Sequence, residues 1–470
     1  MRPRTLRDVA SAVGGTVLPG AAGDTVVHGV TVDSRSVSAG DLFVALVGDR
    51  VDGHGFVDAA LSGGASAALV RTGSSAGGLG AVVEVPDTAT ALLDLARAER
   101  SQLNAIVVGI TGSTGKTCTK DFAAAVLGRR YEVVASPASF NNEVGLPITL
   151  LSADERTEAI ICEMGSRGPG HIRLLTEIAR PVVGVVTNVG VAHMELFGSP
   201  GVLRDAKAEL PESLGADGTA VLNADDPVVA GFAGRTAARV ILFGDGAGAE
   251  VRAADVITNR STGRSRFRLH TPAGSAVVSL PAPGEHMVAN ALAAAAVGWA
   301  LEVPVESVAE GLGSAEISGG RMEVRDAPGG FRVLDDAYNA NPTSMAAALR
   351  AARWMAGGGR CIAVLGPMAE LGSIAADEHE RIGELAARLR IDVVVTVGAE
   401  AELIAAGAER EGVEPDRVIR CDGVEDAVRA LAGIVAPGDL VLVKASRVAR
   451  LERVAAALTS DWRMADGVTA

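Results

Sequence analysis

Short unbroken apolar runs alternate along this chain with longer stretches in which apolar residues return every three or four positions. The first pattern marks strands buried on both faces, the second amphipathic helices. In the first hundred residues, 6–13 has helical spacing and 26–32 and 42–46 read as strands; glycine-rich 73–80 reads as a loop. From about 101 to 316 the alternation is that of a parallel sheet. Strands are predicted at 106–110, 159–162, 182–186, 220–222 and 240–243, antiparallel strands within 251–280, and an alanine-rich helix over 290–300. From 317 to 470 the alternation is more regular, with strands at 331–334, 362–365, 393–397, 418–420 and 440–443 and helices over 376–389, 400–408 and 424–434. The expectation is an α/β chain of three domains: 1–100, a mostly parallel 101–316, and a Rossmann-like doubly wound 317–470. The last lacks a Gly-x-Gly-x-x-Gly turn after its first strand, so its shape alone names no ligand.

Composition narrows the class. Hydrophobic residues make up 48% of the 470 and aromatics only 3%, so the cores rest on Ala, Val, Leu and Ile. A net charge of −14 without a basic block argues against nucleic acid as a partner, and anionic ligands then require local positive sites. Cys118, Cys162, Cys361 and Cys421 show no metal-type spacing, a pattern of reducing compartments. Residues 1–10 carry no apolar signal core, and no apolar run approaches the roughly 20 residues of a membrane span. A cytoplasmic monomer without membrane insertion is expected.

The chemistry concentrates after predicted strands. Thr111-Gly112-Ser113-Thr114-Gly115-Lys116-Thr117 follows the strand at 106–110 and precedes a helical stretch at 121–127. Strand, glycine-rich turn and helix N-terminus form a phosphate-binding loop: backbone N–H groups close around phosphate oxygens and the helix dipole adds positive charge. Lys116 would reach the terminal phosphates of ATP or GTP and Thr117 would bind Mg²⁺. Ile110 stands where the general pattern has its first glycine. Glu163 ends the next strand, where a carboxylate suits Mg²⁺ as a hard oxygen ligand. His193 follows another strand end; an imidazole there binds a metal or phosphate, or simply caps and packs. Lys207 shares a helical stripe with Leu203, Ala206 and Leu210. Such a lysine either snorkels to water or is a desolvated amine of lowered pKa, able to react with CO₂ as a carbamate. Asp335-Asp336-Ala337-Tyr338-Asn339-Ala340-Asn341-Pro342 is an unusually polar turn, with Asn341-Pro342 also a common structural turn starter. Lys444 and Arg447 put two cations after the last strand, where they could meet a ligand carboxylate.

These segments resemble the Mur ligase family over nearly the whole chain. Thr31-Val32-Asp33-Ser34-Arg35, with 40–46 and Asp52-Gly53-His54, is similar to its uridine-diphosphate-sugar domain. The loop at 111–117 is the family's own version, which accounts for Ile110. Asn141-Asn142-Glu143, Glu163-Met164-Gly165, Thr187-Asn188-Val189-Gly190-Val191-Ala192-His193 and Ala206-Lys207-Ala208-Glu209 match its central motifs. The segments 335–345 and 366–372 are close to forms typical of members that add D-alanyl-D-alanine.

The resemblance implies ATP-driven amide formation with two Mg²⁺ ions and a carbamylated Lys207. Lys116 and Thr117 would hold the phosphates and first metal; Glu163, His193 and Lys207 the second metal and an acyl phosphate. His286, Asn290, Arg321 and Asp336 would grip the nucleotide from the other wall. Ser34, Arg35, Asn141 and Asn142 would bind UDP-N-acetylmuramoyl-tripeptide, and Tyr338, Asn339, Lys444 and Arg447 the D-alanyl-D-alanine side. Domain motion is expected about a hinge near 314–320. Other readings are a sibling ligase adding another amino acid, including the folylpolyglutamate type, and a P-loop ATPase or regulatory binding protein.

Overall fold

The computed structural model describes residues 1–18, 23–48, 51–74, 81–137, 139–190 and 194–460; His193 and most of the 73–80 loop lie outside them. The central apolar runs pair as one six-stranded parallel sheet, in the order Arg239–Phe243, Thr219–Asn223, Val183–Val186, Ile106–Thr111, Ala159–Glu163, Val133–Ala135. Chain order reverses beside Ile106–Thr111, whose neighbours are Ala159–Glu163 on one side and Val183–Val186 on the other. Such a reversal opens a crevice at the carboxyl ends of the strands. The stretch after 251 folds as three antiparallel strands, Arg252–Thr258, Arg264–Thr271 and Gly274–Pro283.

Before this sheet lies a five-stranded one, in the order Thr16–Val17, Ala81–Val85, Ala67–Arg71, Asp41–Val44, Gly29–Thr31. After it lies a six-stranded sheet in the order Glu323–Asp326, Arg332–Asp335, Leu440–Lys444, Cys361–Leu365, Val393–Val397, Val418–Cys421, parallel except for its first strand. Apolar packing is continuous between units. Leu6, Leu42 and Leu92 share a buried cluster with Val107, Ile160 and Leu146, and Phe122 and Ala291 share another with Leu334 and Met345. No helix among the described residues is long and apolar enough to cross a membrane.

Three local expectations change. The run at 26–32 is two strands: Val26–Val27 pairs with Arg4–Thr5, and Gly29–Thr31 joins the five-stranded sheet. The helix after the glycine-rich loop starts at Lys116, not near 121, and Thr117, Cys118, Thr119 and Lys120 are all buried. Its first residues, Lys116, Thr117 and Cys118, line the crevice, and this polar turn carries no apolar periodicity. Asn341-Pro342 opens a helix, Pro342–Ala356: Asn341 caps it by accepting from Ser344 N, and proline tolerates the first helical position.

Glu99 is 0% exposed and accepts from Arg2 Nε at 2.6 Å and Arg4 Nη2 at 2.8 Å, fixing the chain start to the helix Thr88–Arg100. Glu99→Ala leaves two largely buried cations unpaired and should lower the unfolding free energy by about 2–4 kcal/mol in urea titrations. A loss below about 0.5 kcal/mol would mean that water already screens the pair.

Candidate active site

The glycine-rich loop lies at the reversal point of the central sheet. Gly115 has φ 79° and Gly112 φ 148°, backbone that side chains rarely allow. Space excludes them too: a Cβ at Gly112 would collide with Thr187 Oγ1, and one at Gly115 would run into the Asn290 carboxamide. Asn188 pins the loop, its Oδ1 accepting from Thr114 N at 2.9 Å and its Nδ2 donating to Thr114 Oγ1 at 2.7 Å. No side chain caps the helix Lys116–Leu127. Its first-turn N–H groups therefore face the crevice, the arrangement an anion requires.

Lys116 Nζ donates to Gly112 O at 2.9 Å. Burial pushes its pKa down; Arg321 adds to this and Glu163 opposes it. Glu163, 1% exposed, accepts from Thr117 Oγ1 at 2.7 Å and from Asn141 Nδ2 at 2.8 Å. Thr117 and Glu163 thus bring oxygen donors together at the loop, a donor set that suits Mg²⁺. Among the described residues no group of three or more His, Cys, Asp or Glu forms a ready-made metal cluster.

The opposite wall comes from 286–290 and the last sheet. A cavity of ≈ 580 Å³ is lined by Lys116, Thr117, Asn141 and Glu163 on one side and by His286, Asn290, Arg321, Asp336, Tyr338, Asn339, Lys444 and Arg447 on the other. Burial lowers the His286 pKa; Asp336 opposes this and Lys444 reinforces it, so the ring is neutral near pH 7. Arg321 donates to Ser139 Oγ at 2.9 Å, while its Nε is buried without a partner. Arg321 lines the same cavity as the phosphate loop, and a guanidinium there suits a phosphate ligand.

Some expected residues behave otherwise. Lys444 is 2% exposed and donates to Asp336 Oδ2 at 2.6 Å, Asn339 O at 2.9 Å and Asp336 O at 3.3 Å. An ammonium has three N–H donors, so Lys444 is already satisfied, and Arg447 is the cation left for a ligand carboxylate. The carboxamide oxygen of Asn142 accepts from Val144 N and Gly145 N at the start of the helix Gly145–Leu151, a structural use. Ser34 and Arg35 do not line the cavity, and the Arg35 side chain, 88% exposed, pairs with Asp33.

Lys207 does not snorkel. It is 1% exposed on the helix Pro200–Glu212, and among the described residues no acid pairs with its Nζ. Burial, then Lys116, push its pKa well below the ordinary value; Glu163 and Glu209 oppose them. Three residues escaped the sequence reading of the site. Ser139 meets Arg321, with no motif to mark it. Glu209, off the apolar stripe, is buried and caps the helix His171–Ala179 by accepting from Gly170 N at 2.6 Å and Arg173 N at 2.9 Å. Asp121 accepts from Ser318 N at 2.9 Å, tying the loop helix to the segment before Arg321.

Family models match most of the chain: Mur ligase family, catalytic domain, over residues 26–100; Mur ligase middle domain over 110–298; and Mur ligase, glutamate ligase domain, over 320–447. The UDP-N-acetylmuramoyl-tripeptide–D-alanyl-D-alanine ligase of Mycobacterium tuberculosis is 43% identical, with 97% of this chain and 98% of that protein covered. A crystal structure of MurF from Acinetobacter baumannii matches with a TM-score of 0.85 at 30% identity, over 97% of this chain and 99% of that one. MurF from Thermotoga maritima, crystallised in complex with ADP, matches with a TM-score of 0.78 at 31% identity, over 92% and 96%. With family models over most of its length and a relative 43% identical over 97% of it, the chain belongs to the Mur ligase family.

Proposed function

We propose that this protein joins D-alanyl-D-alanine to UDP-N-acetylmuramoyl-tripeptide in peptidoglycan precursor synthesis, converting ATP to ADP and phosphate. The observation that carries the reading is similarity, over nearly the whole chain, to ligases of that name. Its chemical support is the cavity between the phosphate loop and the last sheet. The ADP complex of the Thermotoga maritima relative supports nucleotide use.

A terminal carboxylate oxygen of the tripeptide attacks the γ-phosphorus of ATP, the bond to the bridging oxygen breaks, and ADP leaves. The amine of D-alanyl-D-alanine then attacks the acyl phosphate carbon, loses a proton, and phosphate departs from the tetrahedral intermediate. Two anions must meet in the first step, so cations and N–H dipoles held in place beforehand lower its barrier. Lys116, the first-turn N–H groups of its helix and Arg321 hold the phosphates. His286 and Asn290 face the adenosine end, and Asp336, fixed by Lys444 and Met322 N, shapes that wall. Bound to Thr117 and Glu163, Mg²⁺ would neutralise phosphate charge. His193 and a carbamate on Lys207 would serve a second ion. Residues 1–100, with Ser34 and Arg35, bind the UDP-sugar and Asn141 the peptide; 101–316 binds ATP; 317–470 binds the dipeptide, with Asn339 and Arg447 at its carboxylate end. Four buried, unpaired cysteines support a reducing cytoplasm.

A ligation assay with a panel of UDP-muramoyl-peptides and amines, reading ADP and product mass, tests the assignment. D-alanyl-D-alanine should be joined to the tripeptide and D-alanine amide hardly at all, since the amide leaves a cation unpaired. Efficient addition of diaminopimelate to a UDP-muramoyl-dipeptide would move the protein to a sibling activity, and amine-independent ATP hydrolysis to an ATPase. Arg447→Ala should raise the dipeptide KM about 10- to 100-fold while moving the ATP KM less than about threefold.

For Lys207, the carbamate forms from the neutral amine, whose fraction grows as pH rises through the lowered pKa. Lys207→Ala should lower kcat about 100-fold or more, with partial rescue by short carboxylic acids. Wild-type enzyme depleted of CO₂ should lose activity and regain it with bicarbonate. A bare ammonium in a crystal structure with ATP and Mg²⁺ bound would refute the carbamate.

A further inference from the structure

Tyr338 carries two guanidinium groups on one ring. Arg321 Cζ lies 4.0 Å and Arg447 Cζ 4.9 Å from its centroid. The arginines come from distant segments: one follows the 314–320 linker, the other the last strand, Leu440–Lys444. Arg325, Arg353 and Arg360 of the same unit pair instead with Glu323, Asp392 and Asp439. Among the described residues neither Arg321 nor Arg447 has a carboxylate partner, and the one hydrogen bond from Arg321 runs to Ser139 Oγ.

The difference has a physical consequence. A carboxylate would hold each cation but cancel its charge. An aromatic face holds a guanidinium through its quadrupole and leaves the positive potential available to an anion. The backbone that carries the ring is anchored beside Arg321: Tyr338 N donates to Gly320 O at 3.1 Å, one residue before Arg321. The Tyr338 hydroxyl makes no hydrogen bond among the described residues, so the ring is the part in use.

We propose that Tyr338 is a positioning residue, the shared support that holds the phosphate-side Arg321 and the carboxylate-side Arg447 in place without neutralising either. The proposal rests on the ligase reading for the identity of the second anion, not for the first. Nucleotide and dipeptide are then gripped by cations on one ring, and loss of the ring weakens both sites, although they bind different substrates.

The test uses full-length protein and the variants Tyr338→Leu, Tyr338→Gln and Tyr338→Phe, with Arg447→Ala alone and combined with Tyr338→Leu. Calorimetry with a non-hydrolysable ATP analogue and Mg²⁺ reads the nucleotide side, and steady-state ligation reads the dipeptide KM. Tyr338→Leu should weaken nucleotide binding and raise the dipeptide KM, each about three- to tenfold, with a smaller change in kcat. Tyr338→Gln should do the same, and serves if the leucine variant folds poorly. Tyr338→Phe should restore both to within about twofold of wild type, because the stacking face survives. Arg447→Ala should raise the dipeptide KM less in the leucine background than in wild type, as expected of a coupled pair. Unchanged nucleotide affinity in both non-aromatic variants overturns the proposal. So does a phenylalanine variant as impaired as leucine, which would assign the role to the hydroxyl. If wild-type protein fails to ligate D-alanyl-D-alanine while Tyr338→Leu still weakens nucleotide binding, the substrate assignment fails and the positioning role stands.

Discussion

Positive charge gathered at the carboxyl ends of two sheets, with little negative charge to match it, is the constraint on which the rest depends. Lys116, Arg321 and Arg447 line one cavity whose buried acid is Glu163, in a chain of net charge −14. Such a site repels itself when empty and is relieved when phosphates and carboxylates enter. The scaffold resists the repulsion by indirect means. The Gly112 carbonyl accepts from Lys116, a serine hydroxyl and an aromatic ring hold Arg321, and the acid at the other strand end, Asp336, is taken up by Lys444. Where a cation is neutralised by a carboxylate it shapes the wall; where it is held by a carbonyl or a ring it stays available.

The same economy explains the lysines. Lys444 and Lys207 are equally buried, yet one bonds a carboxylate and two carbonyls, and the other bonds no acid among the described residues. Burial without a partner favours the neutral amine, so the Lys207 pKa falls. The sign for folding follows: unfolded chains bind the proton more tightly, so this lysine's contribution to stability falls as pH drops through its folded pKa. Such burial opposes folding, so the packing of the helix Pro200–Glu212 alone does not account for a lysine at this position.

Contacts between the units make the site one object. Asp121, on the loop helix, accepts from Ser318 N, and Ser139 accepts from Arg321, so the loop, the linker and the last sheet are joined by hydrogen bonds. Apolar clusters run across the same borders. Movement of the last sheet away from the central one would remove Arg321, Tyr338 and Arg447 from the phosphates together, because they share a ring.

Period and punctuation along the chain were enough for most strands of the central and last sheets, the phosphate loop and Glu163, but not for Ala67–Arg71 and Ala81–Val85 of the first sheet or the edge strands Val133–Ala135 and Glu323–Asp326. Unbroken apolar runs must be buried on both faces, and a parallel order puts the polar residues that follow them at one edge. Local capping chemistry would also have revealed the helix after Asn341-Pro342, had asparagine before proline been read as a cap as well as a turn. Partnership across the sequence was not legible. Lys444 and Arg447 look alike as strand-end cations, but one bonds Asp336, 108 positions away, and the other lies on Tyr338. Snorkelling and burial of Lys207 have the same helical stripe, and packing around the helix decided between them. Pattern reports which side of an element is buried; what a buried charge touches depends on how separate elements meet, and that distance in sequence carries no periodic signal.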